Sequence, residues 1–422
     1  MARVAMTREQ WDAEVIVAGA GPAGASAARA LASTGVETLL VDRVAFPRNK
    51  PCGGGISARA FRRLPWLEAA LTGVDVHAVR RLHLEGPESA VLDLETHAPC
   101  VMLVRRVEFD HALVRAAETA GARRLDGFEI TQASMDDDGV TLSARDGRQL
   151  RAPIVIAADG VHSVIGKRLG VNRHWPRQSL AIDMMEETPV ETLSAARPDV
   201  LWVAYAHEDL DGYAYIFPKT HHVNVGIGCL LSHFDEHVDE APYTLQERFV
   251  ASLTRRGALE GRSDRGCFTP FLIPVGGPLA RTAYGRVLFA GDAGGFVNAI
   301  TAEGIYYAMV SGQLAGETTA AAVRRRAPES AGRAYERAWK KEIGAELRDA
   351  VLVQRYLFRH HARVAHVIAG ASRSSTLTEA ILDYTRGDLS YGALKRRLLW
   401  RFPRAMFRMA RERPPAEPIA AS

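Results

Sequence analysis

A mixed α/β fold, α+β overall, is what three features of this sequence predict. Short apolar runs at residues 14–18, 38–41, 154–158 and 287–290 read as buried parallel strands, and the first leads into a glycine-rich turn. Between them, residues 82–94 and 201–231 are rich in alternating and β-branched residues and read as antiparallel strands of a second unit inserted into the first. After about residue 330 the pattern turns helical, with Tyr335, Trp339, Ile343, Leu347 and Val351 forming an apolar stripe.

Taken in order, residues 14–18 form a strand, residues 22–33 an alanine-rich helix closed by Thr34-Gly35, and residues 38–41 a second strand ending at Asp42. A helix over 107–120 carries Phe109, Leu113 and Val114 on one side. The strand at 154–158 leads into Asp159-Gly160, and the one at 287–290 into Gly291-Asp292. The chain divides accordingly into a nucleotide-binding domain in three parts (12–80, 100–172 and 276–328), an inserted sheet in two (81–99 and 173–275), and a helical C-terminal region (329–422).

A chain of 422 residues suggests two or three domains, and 47% hydrophobic with 24% charged residues is the composition of an ordinary globular protein. A net charge of +4 is too small to argue for a nucleic-acid partner. The cysteines, 52, 100, 229 and 267, have neither CxxC nor metal-ligand spacing, so no metal site and no disulfide framework is expected, and a reducing cytoplasm fits. Residues 1–11 lack the apolar core of a signal peptide, and no run of 18 apolar residues exists to span a membrane. Residues 395–413 are locally basic, with Lys395, Arg396, Arg397, Arg401, Arg404, Arg408, Arg411 and Arg413 against Glu412. Interleaved are Leu398, Leu399, Trp400, Phe402, Met406, Phe407 and Met409, with Pro403 as a break. Such a segment suits peripheral contact with an anionic bilayer, or equally a docking helix with a solvated basic face.

In Gly19-Ala-Gly21-Pro-Ala23-Gly24, Gly19 permits the tight turn, Gly21 lets a phosphate approach the backbone, and Gly24 lets helix and strand pack closely. The helix beginning near Pro22 aims its N-terminal N–H groups at a pyrophosphate. Asp42, 23 residues after Gly19, stands where a carboxylate accepts from ribose hydroxyls, and Arg43 follows it in place of a typical NAD-site sequence. A distant Gly291-Asp292 after a second buried strand is harder to explain with NAD than with an extended FAD, whose ribityl and pyrophosphate it would hold. An Asx turn capping the following helix is the plain alternative. No second glycine fingerprint in a strand–turn–helix setting is present, so a reductant, NADPH or a small redox protein, would dock transiently.

With these segments placed, the chain resembles the geranylgeranyl reductase family, a branch of the flavoprotein superfamily that includes para-hydroxybenzoate hydroxylase. Phe46-Pro-Arg-Asn-Lys50-Pro51-Cys52-Gly53-Gly54-Gly55 is similar to the family's Lys-Pro-Cys-Gly-Gly signature. Arg105-Arg106-Val-Glu-Phe-Asp110 and Ala158-Asp159-Gly160 are similar to superfamily motifs. Gly291-Asp292-Ala-Gly-Gly-Phe-Val-Asn-Ala-Ile-Thr-Ala-Glu303-Gly304-Ile305 closely resembles the family's Gly-Asp block and its continuation. The family's Tyr-x-Trp-x-Phe-Pro-Lys here reads Tyr213-Ala-Tyr215-Ile-Phe217-Pro218-Lys219, with tyrosine for tryptophan, which bears on substrate identity more than on reaction type.

The resemblance implies FAD-dependent reduction of carbon–carbon double bonds in an isoprenoid chain carried by a prenyl lipid or diphosphate. Such an alkene is unactivated, so hydride arriving at one carbon must be matched by a proton at the other. Cys52 is the candidate beside the reacting alkene: three glycines after it let the backbone pass the flavin, and a free thiol keeps its proton at neutral pH. A buried structural cysteine is the competing reading. Tyr215 and Phe217 are expected to line a lipid channel, with Tyr213 pointing the other way, and Lys219 is expected at the channel mouth or as a surface lysine. Arg106 would reach the FAD phosphates or ribityl, with an ordinary ion pair as its alternative and Arg105 as its rival. Gly53, Asp159, Gly304 and Ile305 complete the expected cofactor contacts. The rivals are a flavin monooxygenase or halogenase on the same scaffold, although the halogenase Trp-x-Trp-x-Ile pattern is absent, and a non-redox cyclase or binding protein that holds FAD structurally.

Overall fold

The apolar runs converge on one sheet. In the computed structural model, which describes residues 11–401, six strands lie in the order Ala283–Tyr284, Val287–Phe289, Ile154–Ala157, Val15–Ala18, Thr38–Val41 and Arg123–Leu125. All pairings are parallel except that between the first two. Val15–Ala18, Thr38–Val41 and Ile154–Ala157 are buried at every position, which is why they read as unbroken apolar runs rather than alternating ones. The fold is therefore mixed α/β with a helical C-terminal region.

Two distant motifs meet because their helices are small-faced. Helix Pro22–Ala32 follows the first glycine turn, and helix Ile305–Arg324 follows the Gly-Asp block. A side chain at Gly312 would collide with the Ala23 carbonyl, and one at Gly316 would lie 2.6 Å from the Ala27 oxygen. The backbones approach this closely only because both faces are glycine and alanine. Gly291, at φ +59°, completes the contact, since a Cβ there would lie 2.8 Å from that of Ala23.

The inserted unit is a seven-stranded sheet ordered Phe268–Pro274, Leu180–Pro189, His222–Leu230, Gly212–Pro218, Val200–Tyr205, Arg81–Glu85 and Val91–Glu95. One face packs on helix Pro242–Arg255 through Leu245, Phe249, Val250 and Leu253, a helix the sequence reading did not anticipate. The other face looks toward the cofactor half. Also unanticipated is a three-stranded sheet, Ile130–Met135, Val140–Ala144 and Gln149–Ala152, whose short strands alternate weakly and carry a register shift at Ser143 and Ala144.

The C-terminal stripe contains a correction to simple helical periodicity. A four-residue repeat turns 400° per step on an α-helix and drifts off the core within a few turns. Here a π-helical segment, Lys340–Gly344, interrupts the helix between Ala331–Trp339 and Ala345–Phe358. The extra residue resets the face, and Tyr335, Trp339, Ile343 and Leu347 all stay buried. Of the basic arm, Tyr391–Arg401 is a helix docked through Tyr391 and Lys395 to Asp349, at 2.8 and 2.6 Å. Trp400 is 89% exposed. Residues 402–413, with Phe402, Pro403, Arg404, Met406, Phe407, Arg408, Met409, Arg411 and Arg413, lie outside the described residues. Among the described residues no helix is long and apolar enough to cross a membrane, and no cluster of side chains could hold a metal ion.

Candidate active site

The C-terminal edge of the parallel sheet gathers the turns that the motifs predict, where open α/β sheets bind ligands. Gly19 sits at φ +97°, and a side chain there would strike the Ala158 carbonyl. Gly24 would strike the Gly19 carbonyl. Gly21 is different: a Cβ there meets nothing closer than Arg48 Nη2 at 3.8 Å. No side chain caps the N-terminus of the helix that starts at Pro22. An open pocket, bare helical N–H groups and a guanidinium at its rim could hold a pyrophosphate.

Asp42 clamps this turn. Its carboxylate accepts from the N–H of Ala20 at 2.7 Å and of Val44 at 3.0 Å. Arg43 is exposed and turned away from the turn, with its charge felt at Glu129. The cation at the cradle is Arg48, a residue not expected at the site from the sequence. It stacks on Phe46 at 4.6 Å, pairs with Asp110 at 3.2 Å and lies 3.9 Å from Asp42. Its only signal in the sequence was a cation two residues before Lys50.

Arg106 is buried, and its Nε and Nη2 donate to Asp110 at 2.7 and 2.8 Å, one turn along the same helix. This is the ion-pair alternative in bidentate form, and it turns the guanidinium toward Cys52. Arg105 pairs with Glu187 and Glu108 instead. The Asp159 oxygens accept from the Ser163 hydroxyl at 2.7 Å and the Ile165 N–H at 3.1 Å, capping helix Val164–Arg168, and burial pushes its carboxyl up. Asp292 follows Gly291 in a short 3-10 turn, and among the described residues its carboxylate takes no hydrogen bond. Gly304 lies beside it, 3.6 Å from Asp292 Oδ1 to an ideal Cβ, and Ile305 opens the buried helix behind.

The Cys52 loop joins the two halves. Cys52 Sγ accepts from the Gly54 N–H at 3.4 Å, and Asn224 donates to the Cys52 carbonyl at 3.2 Å. A Cβ at Gly53 would come within 2.8 Å of Phe217 and 3.4 Å of Tyr215. Gly54, at φ +74°, passes so close to Val104 that only glycine fits. The run of three glycines therefore lays bare backbone against an aromatic wall.

That wall corrects one expectation. Tyr213, Tyr215 and Phe217 are spaced by two on strand Gly212–Pro218 and so share one face. Their ring centroids are 6.0 and 4.5 Å apart in succession, so Tyr213 does not point away. The neighbouring strand supplies glycines opposite two of them, Gly228 across from Tyr213 and Gly226 across from Tyr215. A Cβ at Gly226 would lie 2.5 Å from Tyr215 Oη. Gly226→Ala should therefore displace that ring and destabilise the protein by about 1–3 kcal/mol, measured as a lower denaturant midpoint. Lys219 is also corrected: it is 5% exposed, not at a mouth or surface, and is paired with Glu187 behind Gly54. Burial lowers its pKa against the pull of Glu187. His221 is exposed and takes no part.

Between the aromatic wall and the C-terminal helices lies a narrow apolar cleft of about 40 Å3, lined by Ile182, Asp183, Tyr213, Tyr215, Ile273 and Phe358 among others. Asp183 was not anticipated. It lies on strand Leu180–Pro189 opposite Gly228, and the Tyr215 hydroxyl donates to it at 3.1 Å. Burial pushes its carboxyl up to about 7. Lys50 stacks at 3.9 Å on Phe271, the cross-strand partner of Asp183, and burial lowers its pKa.

The family described as FAD binding domain matches residues 12–345. A menaquinone reductase of Mycobacterium tuberculosis is 31% identical over 335 residues, covering 72% of this chain and 76% of its own. A digeranylgeranylglycerophospholipid reductase of Methanothermobacter thermautotrophicus is 28% identical over 421 residues, covering 95% and 98%. The crystal structure of a geranylgeranyl bacteriochlorophyll reductase-like protein from Thermoplasma acidophilum superposes with a TM-score of 0.77 at 20% identity, covering 94% of this chain and 98% of that one, a likeness of fold.

Proposed function

Because the chain belongs to the FAD binding domain family and is an FAD-dependent oxidoreductase of the geranylgeranyl reductase type, we propose that it saturates carbon–carbon double bonds in the isoprenoid chain of a prenyl lipid. The observation that carries this reading is the contact of the bare Cys52 loop with the aromatic wall of an apolar cleft. Chemistry at an unactivated alkene needs such a dry, flat-walled space beside the redox group.

The residues fit FAD. The Gly21 cradle, the N-terminus of helix Pro22–Ala32 and Arg48 would hold the pyrophosphate. Asp42 would meet a ribose, and Asp292 with the Gly304-Ile305 turn would meet the ribityl and pyrimidine end. When bound and reduced, FAD supplies a hydride. The protein's own tasks are to exclude water, hold the alkene against the tyrosines, and supply a proton. Digeranylgeranylglycerophospholipid and geranylgeranyl diphosphate reductases among the relatives support a prenyl substrate. A cleft of about 40 Å3 holds little more than a few waters, so it would have to widen to admit a prenyl chain. The electrons come from NADPH or a small redox protein that docks transiently.

The test is anaerobic turnover of the reduced protein on a panel of prenyl glycerolipids, prenyl quinones and prenyl diphosphates, read by mass spectrometry. Gain of two hydrogens per bond on at least one class is expected. No gain on any class would contradict the reading.

A further inference from the structure

Resting on that reading, we propose that Asp183 delivers the proton to the alkene, with Tyr215 orienting its carboxyl. The geometry singles it out. Asp183, Tyr213 and Tyr215 stand on one face of the sheet, separated by the strand His222–Leu230, which has only glycines at the two intervening positions. A Cβ at Gly228 would sit 3.6 Å from Asp183 Oδ1, and one at Gly226 would block Tyr215. The two glycines open a trough through which the tyrosine hydroxyl reaches the carboxyl and the carboxyl reaches the cleft.

The other carboxylates nearby are already engaged. Asp211, at the edge of the cleft, pairs with His361 at 2.9 Å and His233 at 3.4 Å. Glu303 pairs with Arg59 at 3.0 Å, and Glu187 pairs with Lys219. Asp183 has no ion pair within 4.0 Å among the described residues. Tyr213 and Tyr215 are held neutral by burial and by the nearby Asp183. Cys52, the earlier candidate, uses its sulfur within its own loop.

The π bond opens, one carbon takes the hydride that reduced FAD supplies, and the other takes the Asp183 proton, so two C–H bonds form. Asp183 is left as a carboxylate that accepts from the Tyr215 hydroxyl, and it regains a proton from solvent. The two electrons are restored by reduced nicotinamide or by a small redox protein.

Burial raises the Asp183 carboxyl to about 7, so the donor form predominates below that pH and is lost above it. Turnover should fall about ten-fold per pH unit on the alkaline side. Tyr215 donates to the carboxylate and so lowers its pKa, and removing that hydroxyl should move the limb to higher pH.

The experiment uses the full chain with FAD and a prenyl substrate that the wild type saturates. Asp183→Asn should retain FAD and KM while kcat falls about 100-fold or more, and Tyr215→Phe should shift the alkaline limb upward. In the oxidised protein, which does no turnover, an infrared carboxyl band titrating between about pH 5 and about pH 9 should vanish in Asp183→Asn. Wild-type kcat and pH profile in Asp183→Asn, an unmoved limb in Tyr215→Phe, or a band that persists in Asp183→Asn would each overturn the proposal. Failure of the wild type itself to saturate any prenyl substrate would instead defeat the reading on which it rests.

Discussion

Gly21→Val is expected to give a folded protein whose affinity for FAD is at least about 100-fold weaker, a loss of roughly 2.7 kcal/mol. The backbone at Gly21 is extended, φ −72° and ψ −174°, a conformation that valine prefers. Its Cβ meets no protein atom within 3.8 Å, so the added methyls enter only the cradle. The neighbouring glycines give the contrast. Gly24→Ala drives a methyl into the Gly19 carbonyl and should lower stability whether or not cofactor is present. FAD titration together with thermal unfolding of the cofactor-free proteins separates the two effects. Undiminished FAD binding by Gly21→Val would mean that the pyrophosphate lies elsewhere.

Cys52→Ala is expected to keep its FAD and lose turnover by about ten-fold or more, at least about 1.4 kcal/mol of barrier. The sulfur accepts from the Gly54 N–H and stands beside the buried Arg106 guanidinium. Without it the turn that presses Gly53 onto Phe217 loses a tie, and Arg106 loses a neighbour that Asp110 only partly replaces. The alkaline limb assigned to Asp183 should survive in this variant, which distinguishes a residue that shapes the loop from one that gives up a proton. FAD content by absorbance and steady-state rates across pH check both points. Unchanged turnover would remove Cys52 from the site.

What could be read from the sequence was what is local. The buried parallel strands were legible because burial on both faces leaves no polar alternation, and the glycine turn because its φ and its close contacts exclude side chains. The two distant glycine motifs could be paired by the chemistry of one extended ligand. The means of their convergence, Gly312 and Gly316 seated on Ala23 and Ala27, lay in residues with no side-chain chemistry to notice. Asp183 was hidden for a related reason. Its significance comes from strands that are far apart in sequence and from Gly226 and Gly228, which read as weak strand residues until Tyr215 is seen lying across them. Tyr213 was misplaced through a miscounted alternation, since positions 213, 215 and 217 share a face. Lys219 shows the remaining limit: a lysine next to proline reads as a channel-mouth or surface residue until Glu187 appears beside it, on a strand 32 residues earlier.

The most direct measurement is an anaerobic single turnover, in which protein carrying stoichiometric reduced FAD is mixed with one prenyl lipid while flavin absorbance and product mass are followed together. One double bond should be saturated for each FAD reoxidised, with no oxygen atom in the product. Flavin that stays reduced in the presence of every prenyl lipid, or that reoxidises without any gain of hydrogen by the lipid, would contradict it.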